Sequence, residues 1–301
     1  MVVVSIFLLF IFGLLLGSFF NVITIRYKPD DSVFMDLKTI GGRSHCISCS
    51  HQLRWFELLP LVSFFFLRGR CRNCKQKLSL QYPLVEFLTG SIFAGIPLFI
   101  NYFFHFSNTV FFSFTAPWWQ YVISIIWVLI FCIFLLMVIV DLKHFIIPNG
   151  LNLSLGILGL CYVAILYTVQ DTLPLFYDSF IRHYAMMFSF VQNIAISHAV
   201  GFFVGGIFFV LLVLITFGRG IGIGDVKLAF ALGILLGWPD ILLATMLSFI
   251  IGGIISGGFV LFGKKHLKER VPFAPFFIAG VCLVVFFGHT IMRGYFSIFG
   301  L

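Results

Sequence analysis

Residues 1–28 read MVVVSIFLLFIFGLLLGSFFNVITIRYK, with no charged side chain before Arg26. An apolar run of this length crosses a bilayer as one helix. It is too long, and too uncharged at its front, for a cleaved leader. It is therefore read as a first membrane helix, and further runs of the same kind follow. The chain of 301 residues is 61% hydrophobic, with a mean hydropathy of +1.11. A soluble domain of this size could not hide so much apolar surface. The runs are continuous rather than alternating, so helices are expected to satisfy the backbone and a β-barrel is not. Eight spans are expected, near 2–25, 83–102, 118–140, 147–168, 194–217, 226–238, 240–262 and 274–297. The short sixth is read as reaching part-way across or merging with its neighbour. The fold class that follows is an all-α polytopic membrane protein of about eight transmembrane helices. Its domains are a first helix (1–25), a cytoplasmic loop domain (26–82) and a transmembrane domain (83–301).

The charge pattern orients these spans. The net charge is +8. With the 26–82 loop in the cytoplasm and both termini outside, all nineteen Lys and Arg except Arg182 and Arg293 fall on the cytoplasmic side. That asymmetry is the positive-inside rule. The basic excess is thus a matter of topology and of anionic lipid, including at GKKHLKER (263–270), and no nucleic-acid partner is needed to explain it. Segment 103–117 reads as an aromatic interfacial loop ahead of Trp118 and Trp119, and 169–193 as an external loop. Gly13/Gly17 and Gly253/Gly257, each four apart, read as helix-packing positions.

Four of the seven cysteines form CISC (46–49) and CRNC (71–74), with 21 residues between the pairs. Two CxxC turns at this distance suit a closed tetrahedral zinc site of Cys46, Cys49, Cys71 and Cys74. Four sulfur ligands leave no open position for water, so the zinc is read as structural. A reducing cytoplasm argues against disulfides here. Cys132, Cys161 and Cys282 lie in apolar spans and read as small packing residues.

Two acids stand at span ends. Asp141 lies in IVDLKHFIIPN and Asp225 in GIGIGDVKL, each followed two residues later by a lysine, Lys143 and Lys227. Carboxylates at membrane depth are functional candidates. Two close together cannot both ionise readily, so they share a proton. One then serves as base toward water and the other as acid toward a scissile carbonyl. Gly222 and Gly224 are expected to permit an unusual turn and to leave room for an extended substrate. Pro148 is expected to open the next helix. GIGIGD lacks the spacing of a nucleotide-binding loop. Two readings from other classes are a transporter with the aspartates as proton relays and a zinc-ribbon membrane adaptor. The first would place the acids near the midplane, and the second would make them dispensable.

Taken together, GSFFNVITIRYKP (17–29), the cysteine segment 43–90, DLKHFIIPN (141–149), GIGIGDVKL (220–228) and VPFAPFFIAG (271–280) resemble, in order, the motifs of the type IV prepilin peptidase family. The resemblance implies a GxGD-type aspartyl protease of the bacterial inner membrane. It would cut the basic leader from prepilins and pseudopilins at the cytoplasmic face. Asp141 and Asp225 would be its catalytic pair, Gly222 and Gly224 the GxGD glycines, and the four cysteines its zinc tetrad. Many members also methylate the new N-terminal amine with S-adenosylmethionine; Glu57, Tyr82, Pro83 and Glu86 are the candidates for that work. Peptidase activity without methylation is the alternative. Gly17, Ser18 and Asn21 are read as helix-packing residues.

Overall fold

The computed structural model describes residues 2–27, 41–104, 117–173, 176, 178–188, 193–218, 220–261, 271–298 and 300. The basic loop 263–270 and most of 103–117 lie outside the described residues. Among those described, the long elements are helices, in the order α1 (Val2–Arg26), α2 (Val62–Phe66), α3 (Gln81–Phe104), α4 (Trp118–His144), α5 (Asn149–Val169), α6 (Ile194–Thr216), α7 (Ile223–Leu236), α8 (Asp240–Leu261) and α9 (Ala274–Ile298). Seven of them, all but α2 and α7, are long and apolar enough to cross a membrane. Two compact units divide the chain inside α4, Met1–Leu136 and Met137–Leu301.

In the first unit, α1 packs along α3. Gly13 and Gly17 allow the close approach, as expected. A methyl group at Gly13 would stand 2.7 Å from the Thr89 carbonyl, and one at Gly17 would stand 2.7 Å from Glu86 Cα. The segment between these helices carries two short hairpin-like knuckles and the five-residue α2.

In the second unit, α7 packs chiefly on α6 and α5, and α9 packs on α8. The expected sixth span, 226–238, is a separate short helix that begins three residues earlier and does not merge with α8. Helix α7 has 14 residues, about 21 Å at helical rise, less than the bilayer core of about 30 Å. The shortness has a cause. After α6 the chain turns at Phe217 (φ 52°) and Gly218 (φ 70°), both left-handed, and folds back before helix resumes. Contacts of Gly205 with the Ala229 carbonyl, and of Gly201 with Gly233, fix the antiparallel register of α6 and α7. That register sets Asp225 level with Phe209, seven residues before α6 ends at Thr216, or about 10 Å in from its end. From this recessed start α7 still reaches the far end of α6, where the Trp238 amide donates to the Ser197 carbonyl at 3.0 Å.

Two packing expectations fail. Gly253 and Gly257 have no described atom within 4 Å of an added methyl, so that pair mediates no contact within the described chain. Cys161 is exposed, whereas Cys132 is buried and Cys282 partly so.

Candidate active site and metal centre

Helix α4 ends where Phe145 takes a left-handed φ of 55° and its amide donates to the Asp141 carbonyl at 2.9 Å. Asp141 therefore sits in the last turn of α4, and it is 4% exposed. The chain turns through Ile147 and Pro148, and Pro148 (φ −61°, ψ 130°) is the N-cap of α5. Asp225 lies in the first turn of α7, whose N-cap is Gly222. Both acids thus occupy helix ends rather than helix middles.

The two motifs meet. Asp225 lies close enough to Asp141 for its charge to act on it. A methyl group on Gly224 would stand 3.3 Å from Ile147 Cβ. Lys227 Nζ donates to Asn149 Oδ1 at 2.7 Å, which ties the start of α7 to the start of α5. Each carboxylate also has one oxygen held by a backbone amide. Asp225 Oδ2 accepts from the Gly222 N–H at 3.0 Å, and Asp141 Oδ2 accepts from the Ala274 N–H, at the start of α9, at 3.2 Å. Lys143 is exposed and makes no hydrogen bond or ion pair with the described residues.

The glycines work differently from expectation. Gly222 is extended (φ −82°, ψ 157°), and neither Gly222 nor Gly224 is among the left-handed glycines. What position 224 requires is proximity: a side chain there would meet Ile147. At 222 the backbone N–H is the group in use. Sequence reasoning missed three contributors, Asn149, Ile147 and the Ala274 amide. Asn149 was within reach as the polar residue after Pro148. The Ala274 amide lies 133 positions from Asp141 and carries no side-chain signal.

The four cysteines form the second site. Each CxxC turn has the same local form. The Ser50 N–H donates to the Cys46 carbonyl and the Cys46 N–H to the His51 carbonyl, both at 2.9 Å; Lys75 and Cys71 repeat this at 3.0 and 2.9 Å, with Gln76 as acceptor. Ser50 (φ 55°) and Lys75 (φ 60°) are left-handed at equivalent places. The four sulfurs lie within 4.8 Å of one another, and Cys46 Sγ is 3.8 Å from Cys74 Sγ. A tetrahedral ion with Zn–S bonds of about 2.3 Å sets its sulfurs about 3.8 Å apart. The set can therefore hold a metal such as zinc. The His51 amide holds Cys49 down to about 7, and the Cys74 and Asn73 amides lower Cys71. Cys74 is pushed the other way, to about 11: the Gln76 amide lowers it, but burial and its three sulfur neighbours outweigh that. Amides that favour two thiolates suit a cation at the centre.

Glu57 and Glu86 hold the two ends of one turn, Arg54 to Leu61. Glu57 Oε2 accepts from the Arg54 N–H at 2.7 Å and lies 4.0 Å from His51 Nε2. Glu86 Oε2 accepts from the Leu61 N–H at 2.8 Å, at a left-handed residue (φ 58°), and is within hydrogen-bonding reach of Ser18. Both acids are buried. The Tyr82 carbonyl accepts from Asn21 Nδ2 at 3.1 Å. Ser18 and Asn21 are thus engaged in joining α1 to α3, in keeping with a packing role.

Two family models match the chain. One, described as the bacterial peptidase A24 N-terminal domain, matches residues 11–100. The other, the type IV leader peptidase family, matches residues 127–257 and so takes in both aspartates. Curated relatives include proteins named prepilin leader peptidase/N-methyltransferase. That of Aeromonas hydrophila is 27% identical over 97% of this chain and 94% of the relative. That of Bacillus subtilis (strain 168) is 29% identical over 96% of each. No solved structure matches the chain. With both models falling in order on a multi-pass helical chain, and relatives aligned over nearly its whole length, the chain belongs to the type IV leader peptidase family.

Proposed function

We propose that the protein cleaves the basic leader from prepilins and pseudopilins at the cytoplasmic face of the bacterial inner membrane, with Asp141 and Asp225 as its catalytic pair. The observation that carries this reading is the meeting of two carboxylates 84 positions apart, each with one oxygen held by a backbone amide. The pair holds one proton between them. The ionised member takes a proton from water as it attacks the scissile carbonyl, and the protonated member donates to the carbonyl oxygen. The proton gained by the first then passes to the leaving amine. The recessed start of α7 brings this chemistry below the membrane face, where an apolar pilin segment lies in the bilayer and its basic leader in the cytoplasm.

The second activity is methylation of the new N-terminal amine, the activity that the relatives' names also carry. S-adenosylmethionine supplies a methyl group from a sulfonium cation. Glu57 and Glu86, buried acids at the two ends of one turn, suit a cationic donor and, with Tyr82, are the residues assigned to that work. Cys46, Cys49, Cys71 and Cys74 hold a structural zinc that fixes both knuckles of the 26–82 domain. Lys227 positions α7 through Asn149. Lys143 is assigned to the phospholipid or leader side of the site, because it is exposed beside Asp141.

The test is incubation of purified protein with a synthetic prepilin, with and without S-adenosylmethionine, followed by mass spectrometry of the product. Cleavage after the leader, with one added methyl only when the donor is present, is expected. An intact prepilin would remove the peptidase assignment, and an unmethylated product in both arms would remove the methylation alone.

A further inference from the structure

The two cations that break the positive-inside pattern, Arg182 and Arg293, come to one place. The 3-10 turn Arg182–Met187 docks on the last turns of α9. Ile181, Ala185 and Met292 form its buried contact, with Tyr184 and Phe296 packed against them. The Tyr184 and Phe296 rings stack at 5.2 Å and 7°. The docking sets the His183 ring 5.3 Å from that of His289, and Arg182 and Arg293 lie close enough to His289 for their charges to act on it. Four basic side chains, from two segments more than a hundred positions apart, thus share one corner. Arg182 holds its place with a left-handed backbone (φ 56°), a conformation L-residues rarely adopt.

This corner is remote from the aspartates. Helix α9 begins at the Asp141 carboxylate and reaches His289 fifteen residues later, about 22 Å along its axis. An anion at this corner would be drawn to both guanidinium groups and could accept hydrogen bonds from the imidazoles beside them. Arginine pairs are suited to phosphate, which they grip through paired N–H donors. The neighbouring surface is apolar: Met186 is 55% and Met187 56% exposed. A soluble phosphate would have no use for that surface, whereas acyl chains would cover it.

We propose that Arg182, His183, His289 and Arg293 bind the phosphate of an anionic phospholipid headgroup at the end of the helix bundle remote from the two aspartates. The test uses the full chain purified in detergent. Native mass spectrometry follows its binding of phosphatidylglycerol, phosphatidylcholine and soluble glycerol phosphate. Phosphatidylglycerol is expected to be retained in preference to phosphatidylcholine, and an equimolar amount of glycerol phosphate to leave it bound. R182Q/R293Q should reduce retention about tenfold or more, the factor that one charge-assisted hydrogen bond supplies, while prepilin cleavage stays at the wild-type rate. R293Q alone, which leaves the turn at Arg182 untouched, should show part of the loss. Equal retention of the two lipids, wild-type retention by both variants, or displacement by glycerol phosphate would each overturn the proposal.

Discussion

Replacing one acid by its amide tests the pair most directly. Asp141→Asn keeps the shape of the side chain, and the amide oxygen can still accept from the Ala274 N–H at the present 3.2 Å. Asp225→Asn likewise keeps an acceptor for the Gly222 N–H. Neither change opens a cavity, so stability should move by about 1 kcal/mol or less. Catalysis is another matter. An amide can neither take a proton from water nor share one with its neighbour, and a lost general acid or base costs about 10²–10⁴ in rate. Each variant loses both the group and the sharing, so a fall of at least about a thousandfold is expected for either. The double variant should be hardly worse than either single, because groups that act as a unit are not additive. The assay is initial-rate cleavage of a synthetic prepilin, with thermal melting of the same preparations as control. Two partial losses of about tenfold that multiply in the double variant would mean that the acids act separately, and the pair mechanism would fall.

Four further outcomes follow. Cys46→Ser with Cys49→Ser should release the bound metal, read by a colorimetric chelator after protein digestion, and should lower the melting temperature of the 41–80 segment by protease protection; full metal content would remove the tetrad. Gly17→Val should destabilise by about 1–3 kcal/mol, because its first carbon would meet Glu86 Cα at 2.7 Å; unchanged melting would contradict the α1–α3 packing. Asp240→Ala should cost about 2–5 kcal/mol, since it strands the Ser179 hydroxyl and the Phe180 N–H, which it accepts at 2.8 and 2.7 Å in a fully buried site; wild-type melting would deny the clasp. Asn149→Ala should leave melting within about 1 kcal/mol yet reduce cleavage through misplaced Asp225, and an unaltered rate would show that the Lys227–Asn149 contact does no positioning.

Much of this was legible in the sequence, and the parts that were not share a cause. Apolar run length reports a helix that spans, so the seven long helices were readable. It reports nothing of where a helix starts in depth. The 14 residues of α7 read as an incomplete span, and the structure shows where the missing length lies: the helix begins about 10 Å in from the end of α6. Cysteine spacing announced the four-sulfur cluster, which can hold a metal, because thiols have few other reasons to recur as two CxxC pairs. The aspartates stood out by their rarity. The role of Gly224 was misjudged because glycine signals either freedom or closeness, and only the Ile147 contact decides between them. Gly253 and Gly257 show the converse, a spacing that suits packing on a face with no described partner. Backbone donors such as the Ala274 amide leave no trace in side-chain identity at all.

That last point bears on how two acids are tolerated side by side in apolar surroundings. Each carboxylate is seated on the start of a helix, Asp225 on that of α7, to which it belongs, and Asp141 on that of α9. Helix starts carry unpaired N–H groups and the positive end of the backbone dipole, and they accept negative charge there. Asp141 ends α4, where the dipole of its own helix has the opposite sign. Without the first turn of α9 it would face that negative end and a second carboxylate together. The Ala274 amide is therefore as much a part of the site as the Gly-x-Gly-Asp turn. The chain gives each of the two acids a separate helix start, so each carboxylate has its own backbone donor beside a neighbour of like charge.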